Sequence, residues 1–388
     1  MSTSRRPRVV YWNNIPSPYI VDRFNVLADR GQLDFEAWFS ARTEPDRSWD
    51  VDETTWRFRY RYVPVRRVGG SELGFPPQLL GRHPPDVFVT LHFEPSFITG
   101  LLAARRRGAC TAIWLEVTFS SSVRRRWWKE RIKRWLFPKL DGIFAAGTDA
   151  RAYALHYGAQ PARIWLVPHG TDARHFSTGR VVAQATRERR RAELGLRGVT
   201  FLYVGRLWSK KGVDYLLRAF GQLQRRSDQE VSLLLVGDGV DERELRATSA
   251  ALGLRNVVFA GFKQKPELPA WYALADVFIF PSLGDSYGLV VDEAMACSLP
   301  VISTTTAGEI GSRLANGTNG YLVPPRDSSA LFRRMATLAG DPGLRLRMGR
   351  HGFERMRGDS PATWSTAFER AVSALLERRA AGGVGLGR

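Results

Sequence analysis

Short apolar runs alternate with amphipathic helical stretches along most of this 388-residue chain, and that rhythm limits the fold more than any other feature. RVVYW (8–12) reads as a buried strand, DRFNVLADRG (22–31) as a helix closed by Gly31, and LDFEAWFS (33–40) as the next strand. DVFVTL (86–91), FITGLLAARRRG (97–108), TAIWLEV (111–117), DGIFAAG (141–147), DARAYALHYG (149–158) and RIWLVP (163–168) continue it. Repeated strand–helix–strand units predict parallel sheets, and nearly continuous apolar strands predict sheets covered on both faces. The rhythm pauses over PHGTDARHFSTGRVVAQ (168–184) and a charged helix at 185–196, then restarts at VTFLYVG (199–205) and runs to GYLVPP (320–325). The pattern divides the chain into an α/β domain over 1–170, a linker with its charged helix over 171–198 and a second α/β domain over 199–358. A C-terminal helix over 359–380 and a Gly-rich tail over 381–388, expected to be disordered, complete it. Open parallel sheets bind ligands beyond the carboxyl ends of their strands, so two facing doubly wound domains predict an interdomain cleft as the ligand site.

Composition excludes several classes. Hydrophobic residues at 44% and charged residues at 24% fit a globular chain rather than a disordered or collagen-like one. No apolar run reaches the ~18 residues of a spanning helix, and MSTSRRPRVVYW has no apolar signal core. Cys110 and Cys297 cannot form a disulfide framework and read as buried small hydrophobes in a reducing compartment, so the cytoplasm is expected. The net charge is +19, and only seven of the 57 basic residues are lysines. That field suits nucleic acid, a phosphorylated substrate or an acidic membrane surface, but a general preference for arginine on solvated faces produces it equally well.

Two stretches carry chemistry. In VTFLYVGRLWSKKG (199–212), a strand runs into Gly205, Arg206 follows, and Lys211-Gly212 opens a helix. A guanidinium fork and an ammonium at a strand's carboxyl end suit a diphosphate, although a basic surface loop has the same composition. In FPSLGDSYGLVVDEAMACSLP (280–300), a strand ends at Pro281, Asp285 lies in a loop, and a helix opens near Gly288 with Glu293 in its second turn. Two such carboxylates accept hydrogen bonds from sugar and ribose hydroxyls, and a turn residue plus a solvated helix position is the plainer alternative.

VGRLWSKKG, GFKQKPELPAWYALADVFIFPS, GDSYGLVVDEAMACSLPVIST and NGYLVPPRD, in this order, resemble the C-terminal domain of the retaining family 4 glycosyltransferases, the glycosyl transferases group 1. The likeness covers roughly 199–330, and VPHGTDARHF (167–176) resembles that family's interdomain segment; the N-terminal domain fits by pattern alone. The resemblance implies a GT-B fold of two facing Rossmann-like domains and transfer of a hexose from a UDP- or GDP-sugar to an acceptor hydroxyl. It implies no metal and no cofactor beyond the donor. Arg206 and Lys211 would hold the pyrophosphate, Glu293 the ribose, and Gly288, Leu289 and Val290 would offer backbone amides to the phosphates. Gly261 and Phe262 would lie near the base, and Gly205, read from its residue type, lets the backbone turn tightly or approach a ligand closely. Asp285 stands where the family usually has the first Glu of an E-x7-E motif, one methylene shorter. On the acceptor side, NNIPSPYIVDRF (13–24) replaces the usual Gly-rich loop, with Asn14, Ser17 and Tyr19 as contacts. Glu116 stands where many relatives have His; it either orients an acceptor hydroxyl or caps a strand. His92 is a further candidate.

SVRRRWWKERIKRWLFPKL (122–140) sets Trp128, Ile132 and Trp135 at helical spacing among basic residues. It reads as a membrane-surface helix suited to a lipid-linked acceptor, or as a helix whose tryptophans pack on the sheet. Two other classes compete with this reading. Gly284, Ser286 and Gly288 match a hydrolase nucleophile elbow, with His351 and Asp327 or Asp341 completing a triad, but Pro281, Ser282 and Leu283 separate it from its strand. A nucleic-acid or polyanion binder explains the charge but not the paired domains, so no nucleic acid is expected as partner. Asp50 and Asp52 form a D-x-D in a charged loop without strand context.

Overall fold

The computed structural model describes residues 5–44, 47–68, 71–74, 77–81, 83–91, 93–121 and 127–383. It contains two units: 1–116 with 124–170 and 361–388, and 117–123 with 171–360.

The first unit is built on a seven-stranded parallel sheet in the order β3-β2-β1-β6-β7-β8-β9. Its strands are β1 (Arg8–Asn13), β2 (Asp34–Phe39), β3 (Arg59–Tyr62), β6 (Val87–Thr90), β7 (Cys110–Leu115), β8 (Gly142–Ala145) and β9 (Ile164–Leu166); β4 (Arg66–Val68) and β5 (Ser71–Leu73) form a separate antiparallel pair. The helices are α1 (Pro18–Arg30), α2 (Pro95–Arg106), α3 (Trp127–Leu136) and α4 (Thr148–His156). Helix α1 begins four residues before the predicted Asp22. Ser17 is extended and Pro18 takes the first helical position, where its fixed φ and missing N–H cost nothing, and Gly31 closes the helix at φ +61°. The loop after β1 is therefore only 14–17.

The second unit contains α5 (Ala173–Ser177), α6 (Gln184–Glu193), β10 (Val199–Val204), α7 (Val213–Arg226), β11 (Val231–Val236), α8 (Glu242–Ala251), β12 (Val257–Gly261), α9 (Leu268–Tyr272), β13 (Val277–Phe280), α10 (Leu289–Ala296), β14 (Val301–Thr304), α11 (Ile310–Arg313), β15 (Gly320–Val323), α12 (Ser328–Gly340) and α13 (Pro342–Met356). Its sheet is parallel in the order β12-β11-β10-β13-β14-β15. On α7, Val213, Leu216, Leu217, Phe220 and Leu223 are buried, the spacing of a helix with one face on a sheet. The segment 171–198 is not a linker but part of this unit. Phe176 is fully buried against Tyr272, and Arg187 and Arg191 of α6 both pair with Asp276.

The last helix, α14 (Pro361–Gly383), returns to the first unit and packs along α1. It continues through 381–383, which the sequence assigned to the tail; residues 384–388 lie outside the described residues. Arg30 holds Glu369 through a bidentate pair at 2.8–3.1 Å. Trp364 is buried, stacked on Phe368 with centroids 4.8 Å apart and 6.0 Å from Phe24. Trp364→Ala should cost about 3–5 kcal/mol, the range for a buried Trp truncated to Ala. A urea midpoint unchanged from wild type would show that α14 is dispensable to the first unit.

Candidate active site

The strand order of the second unit reverses between β10 and β13, and the loops beyond these two strands are tied together. The Leu283 N–H donates to the Lys210 carbonyl at 2.8 Å. Gly212 has φ +67° and lies so close to Pro281 that an added Cβ would meet its carbonyl oxygen at 2.2 Å, so only glycine fits that crossing. As a result Lys211 and Asp285 form an ion pair, each side chain about one-sixth exposed. Asp285 also accepts the Tyr287 N–H at 3.1 Å. Burial pushes the Asp285 carboxyl up, but the Lys211 charge, its hydrogen bond and the Tyr287 N–H outweigh burial and hold it below the ordinary carboxylate range.

The turn then reaches Gly288, at φ +77° the residue before α10, with Leu289 and Val290 in the helix's first turn. The free amides of a helix start and the macrodipole suit an anion here. Asp292 and Glu293 are buried one turn further on. Glu293 accepts the Tyr272 hydroxyl at 2.7 Å. Asp292 pairs with Arg313 at 2.8 Å and accepts the Thr171 hydroxyl at 3.3 Å. Gly205 directly follows β10, and its neighbour Arg206 is half-buried, with its guanidinium 4.8 Å from the Trp208 ring centroid and its carbonyl accepting the Tyr203 hydroxyl at 2.7 Å. Gly261 ends β12 with φ +71°, its carbonyl accepting the Gly237 N–H at 2.9 Å, and Phe262 beside it is half-buried. The structure thus joins Lys211, Asp285 and the Gly288–Val290 turn directly, and sets Gly205, Arg206 and Gly261 at the carboxyl ends of the same sheet.

In the first unit, the Asn14 amide donates to Glu44 at 3.0 Å. Ser17 precedes α1 without a side-chain cap bond, and Tyr19 lies in the first turn of the helix rather than in a loop. His92 lies outside the described residues. Glu116 follows β7 and sits 3.2 Å from His169 Nε2. On the other side of that ring, the buried Arg23 guanidinium is 3.4 Å from Nδ1, with the Trp114 and Trp364 rings 5.0 and 5.4 Å from its carbon. The His169 ring thus lies between the Glu116 carboxylate and the Arg23 guanidinium. Sequence reasoning missed Arg23, His169, Tyr272, Asp292 and Arg313. His169 sits inside the quoted VPHGTDARHF segment, which was a usable signal; the two arginines had none among fifty.

Among the described residues no hydrogen bond joins Ser286, His351 and Asp327 or Asp341 into a triad. Asp327 and Asp341 accept the backbone N–H groups of Ala330 and Leu344, capping α12 and α13. Asp52 likewise caps a short 3-10 turn by accepting from Thr54. Helix α3 turns its tryptophans outward: Trp127, Trp128 and Trp135 are 75%, 37% and 45% exposed, while Lys133 and Leu136 are buried. The packed-tryptophan alternative therefore fails. Lys133 is held inside by Glu130 at 2.9 Å and the Tyr153 hydroxyl at 2.6 Å. Arg124–Arg126 lie outside the described residues. No helix among the described residues is long and apolar enough to cross a membrane.

Comparison with known proteins places the chain in a family. Residues 198–341 match the family model of Glycosyl transferases group 1, and residues 26–175 that of Glycosyltransferase Family 4. The chain belongs to this glycosyltransferase family and has its GT-B fold. It is 34% identical over 226 residues to the D-inositol 3-phosphate glycosyltransferase of Kribbella flavida, covering 55% of this chain and 52% of that protein. It is 32% identical over 248 residues to the protein of that name from Pseudarthrobacter chlorophenolicus, covering 60% and 57%. The chain therefore spans about half the length of the curated relatives it matches. Anabaena HepE in complex with UDP and glucose superimposes with a TM-score of 0.75 at 17% identity, over 95% of this chain and 100% of that one. Sucrose-phosphate synthase from Thermosynechococcus elongatus gives 0.74 at 19%, over 96% and 100%.

The lowered Asp285 pKa has a testable sign. The stabilisation from its pair with Lys211 is fully present above the unfolded value of about 3.9 and disappears as pH falls through the lower folded value. The stability gap between wild type and Asp285→Asn, measured by urea denaturation, should therefore shrink as pH drops below about 4. A gap independent of pH would contradict the pairing.

Proposed function

We propose that this chain is a retaining hexosyltransferase that uses a UDP- or GDP-sugar and needs no metal. The observation that carries the reading is the Lys211–Asp285 contact at the switch point of the second sheet, beside the open start of α10. Lys211 and Arg206 take the charge of the pyrophosphate as it departs, the amides of Gly288, Leu289 and Val290 receive phosphate oxygens, and Asp285 meets hydroxyls of the transferred sugar. Gly261 and Phe262 border the base, and Glu293, with Tyr272, serves the ribose. In the reaction the bond from the anomeric carbon to the diphosphate oxygen breaks, and a bond to the acceptor oxygen forms on the same face. The acceptor proton passes to the departing diphosphate, so positioning and electrostatics supply the catalysis. HepE in complex with UDP and glucose supports uridine as the nucleoside to test first.

On the acceptor side the candidates are Glu116, Asn14, Ser17 and Tyr19, with His92 a candidate from the sequence alone. The acceptor is a lipid-linked or cell-surface glycan precursor at the cytoplasmic face of the membrane. The outward Trp127, Trp128 and Trp135 alternate with exposed Arg131 and Arg134, amphipathic groups suited to an anionic headgroup layer. The names of the curated relatives favour a second reading, in which a phosphorylated polyol is the acceptor.

Thermal shift with UDP, GDP and ADP sugars, followed by product analysis of the best binder, tests the donor class. Arg206→Ala and Lys211→Ala should each lower transfer about 100-fold or more with circular dichroism unchanged; near-normal transfer by both would refute their role. The double variant Trp127→Ser/Trp135→Ser should sediment less with phosphatidylglycerol vesicles than wild type. Equal sedimentation removes the membrane assignment.

A further inference from the structure

Arg313, at the end of α11, is buried and reaches back to the turn that opens α10. Its guanidinium donates to the Gly288 carbonyl at 3.2 Å and to the Tyr287 carbonyl, pairs with Asp292 at 2.8 Å, and sits 3.9 Å from the Tyr287 ring centroid. Its Nε donates to the Glu309 carbonyl at 3.2 Å. Asp292 is oriented in turn by the Thr171 hydroxyl. Four donor directions of one planar group are thus spent on two consecutive turn carbonyls, a carboxylate and its own helix, an arrangement that an ammonium cannot reproduce. Tyr287 is also the residue whose N–H holds Asp285, which in turn holds Lys211.

We propose that Arg313 is a positioning residue: by gripping the carbonyls of Tyr287 and Gly288 it fixes the turn that both aims Asp285 at Lys211 and points the first amides of α10 at the donor's diphosphate. This rests on the donor-site reading above. It adds a residue that never touches donor, yet sets how well the site distinguishes two phosphates from one. Gly288 alone, with its positive φ and no side chain, leaves that turn many conformations; the guanidinium selects one.

The test compares UDP with UMP by calorimetry on wild type and Arg313→Lys, with GDP and GMP or ADP and AMP substituted if wild type prefers them. Arg313→Lys keeps the charge but loses the fork. It should weaken the diphosphate about tenfold while the monophosphate changes far less, since one or two charge-assisted hydrogen bonds to the turn are lost. A general loss of stability in a still-folded protein would not separate the two ligands. Should Arg313→Lys fail to fold in a thermal melt, Asp292→Asn, which leaves the guanidinium in place but unoriented, carries the same comparison with the same expected direction. Equal effects on both ligands, or none, overturn the role of Arg313. Wild type binding none of the three diphosphates overturns the donor-site reading instead.

Discussion

The meeting of Lys211 and Asp285 depends on one topological step, the return of the chain from β12 across the sheet to β13 on the far side of β10. Loops that leave adjacent parallel strands toward opposite edges open a space between them, and side chains 74 residues apart in sequence then face each other. The step is held by backbone rather than by side chains. The carbonyl of Lys210 accepts from Leu283, and Gly212 lets the chain pass against Pro281. A side chain at 212 would push those loops apart. The strand order supplies the proximity, and the glycine keeps it.

Charge is buried around this point to an extent that stability alone would not favour. Asp292, Glu293, Glu309 and Arg313 are all nearly inaccessible, and removing an ion from water costs several kcal/mol unless it is well partnered. Burial works against the Arg313 charge, and Asp292 and the neighbouring tyrosine outweigh it, so the guanidinium stays charged. Well-packed apolar residues would hold the same elements together without that penalty. What they could not do is hold a glycine turn in one conformation while leaving its amides free, and that is the property an anion site requires.

The βα rhythm, the strands and the motif order were legible because parallel strands buried on both faces carry their signal locally, in runs such as VSLLLV. The edge strand β3 was not. RYRY places arginines on one face, paired with Asp34 and Glu36, and tyrosines on the other, so an apolar search passes over it. Arg206, Lys211, Asp285 and Gly288 were legible as candidates because each sits at the end of a readable element. Arg313 and Arg23 were invisible because what distinguishes them from some fifty other arginines is burial, and burial is a tertiary property. The outward tryptophans of α3 run against the usual inference from residue type. Lys133 takes the inner position because Glu130 and Tyr153 partner it there.

The two units share a strand-order reversal at their first strand, between β1 and β6 in one and between β10 and β13 in the other, yet they equip it differently. In the second unit the helix after the first strand is entered through Gly212 at positive φ, and Lys211 precedes it. In the first unit the corresponding helix is entered through Ser17 and Pro18, so its first position has no N–H to give, and Ile15 and Pro16 are buried. The Asn14 amide is already engaged by Glu44, and the nearby Arg23 is committed to His169 and two indoles. In the loop after β10 the amides of Leu207, Trp208, Lys211 and Gly212 are spent on backbone carbonyls and that of Ser209 on Asp241, so what sets this loop apart from the one after β1 is its cations, Arg206 and Lys211. A neutral hydroxyl-rich ligand needs acceptors and donors in modest number, which Glu116 and the Asn14–Ser17 loop can supply without a cation. The two units therefore differ in how the chain enters the helix after the first strand, through a lysine and a glycine in one and through a serine and a proline in the other.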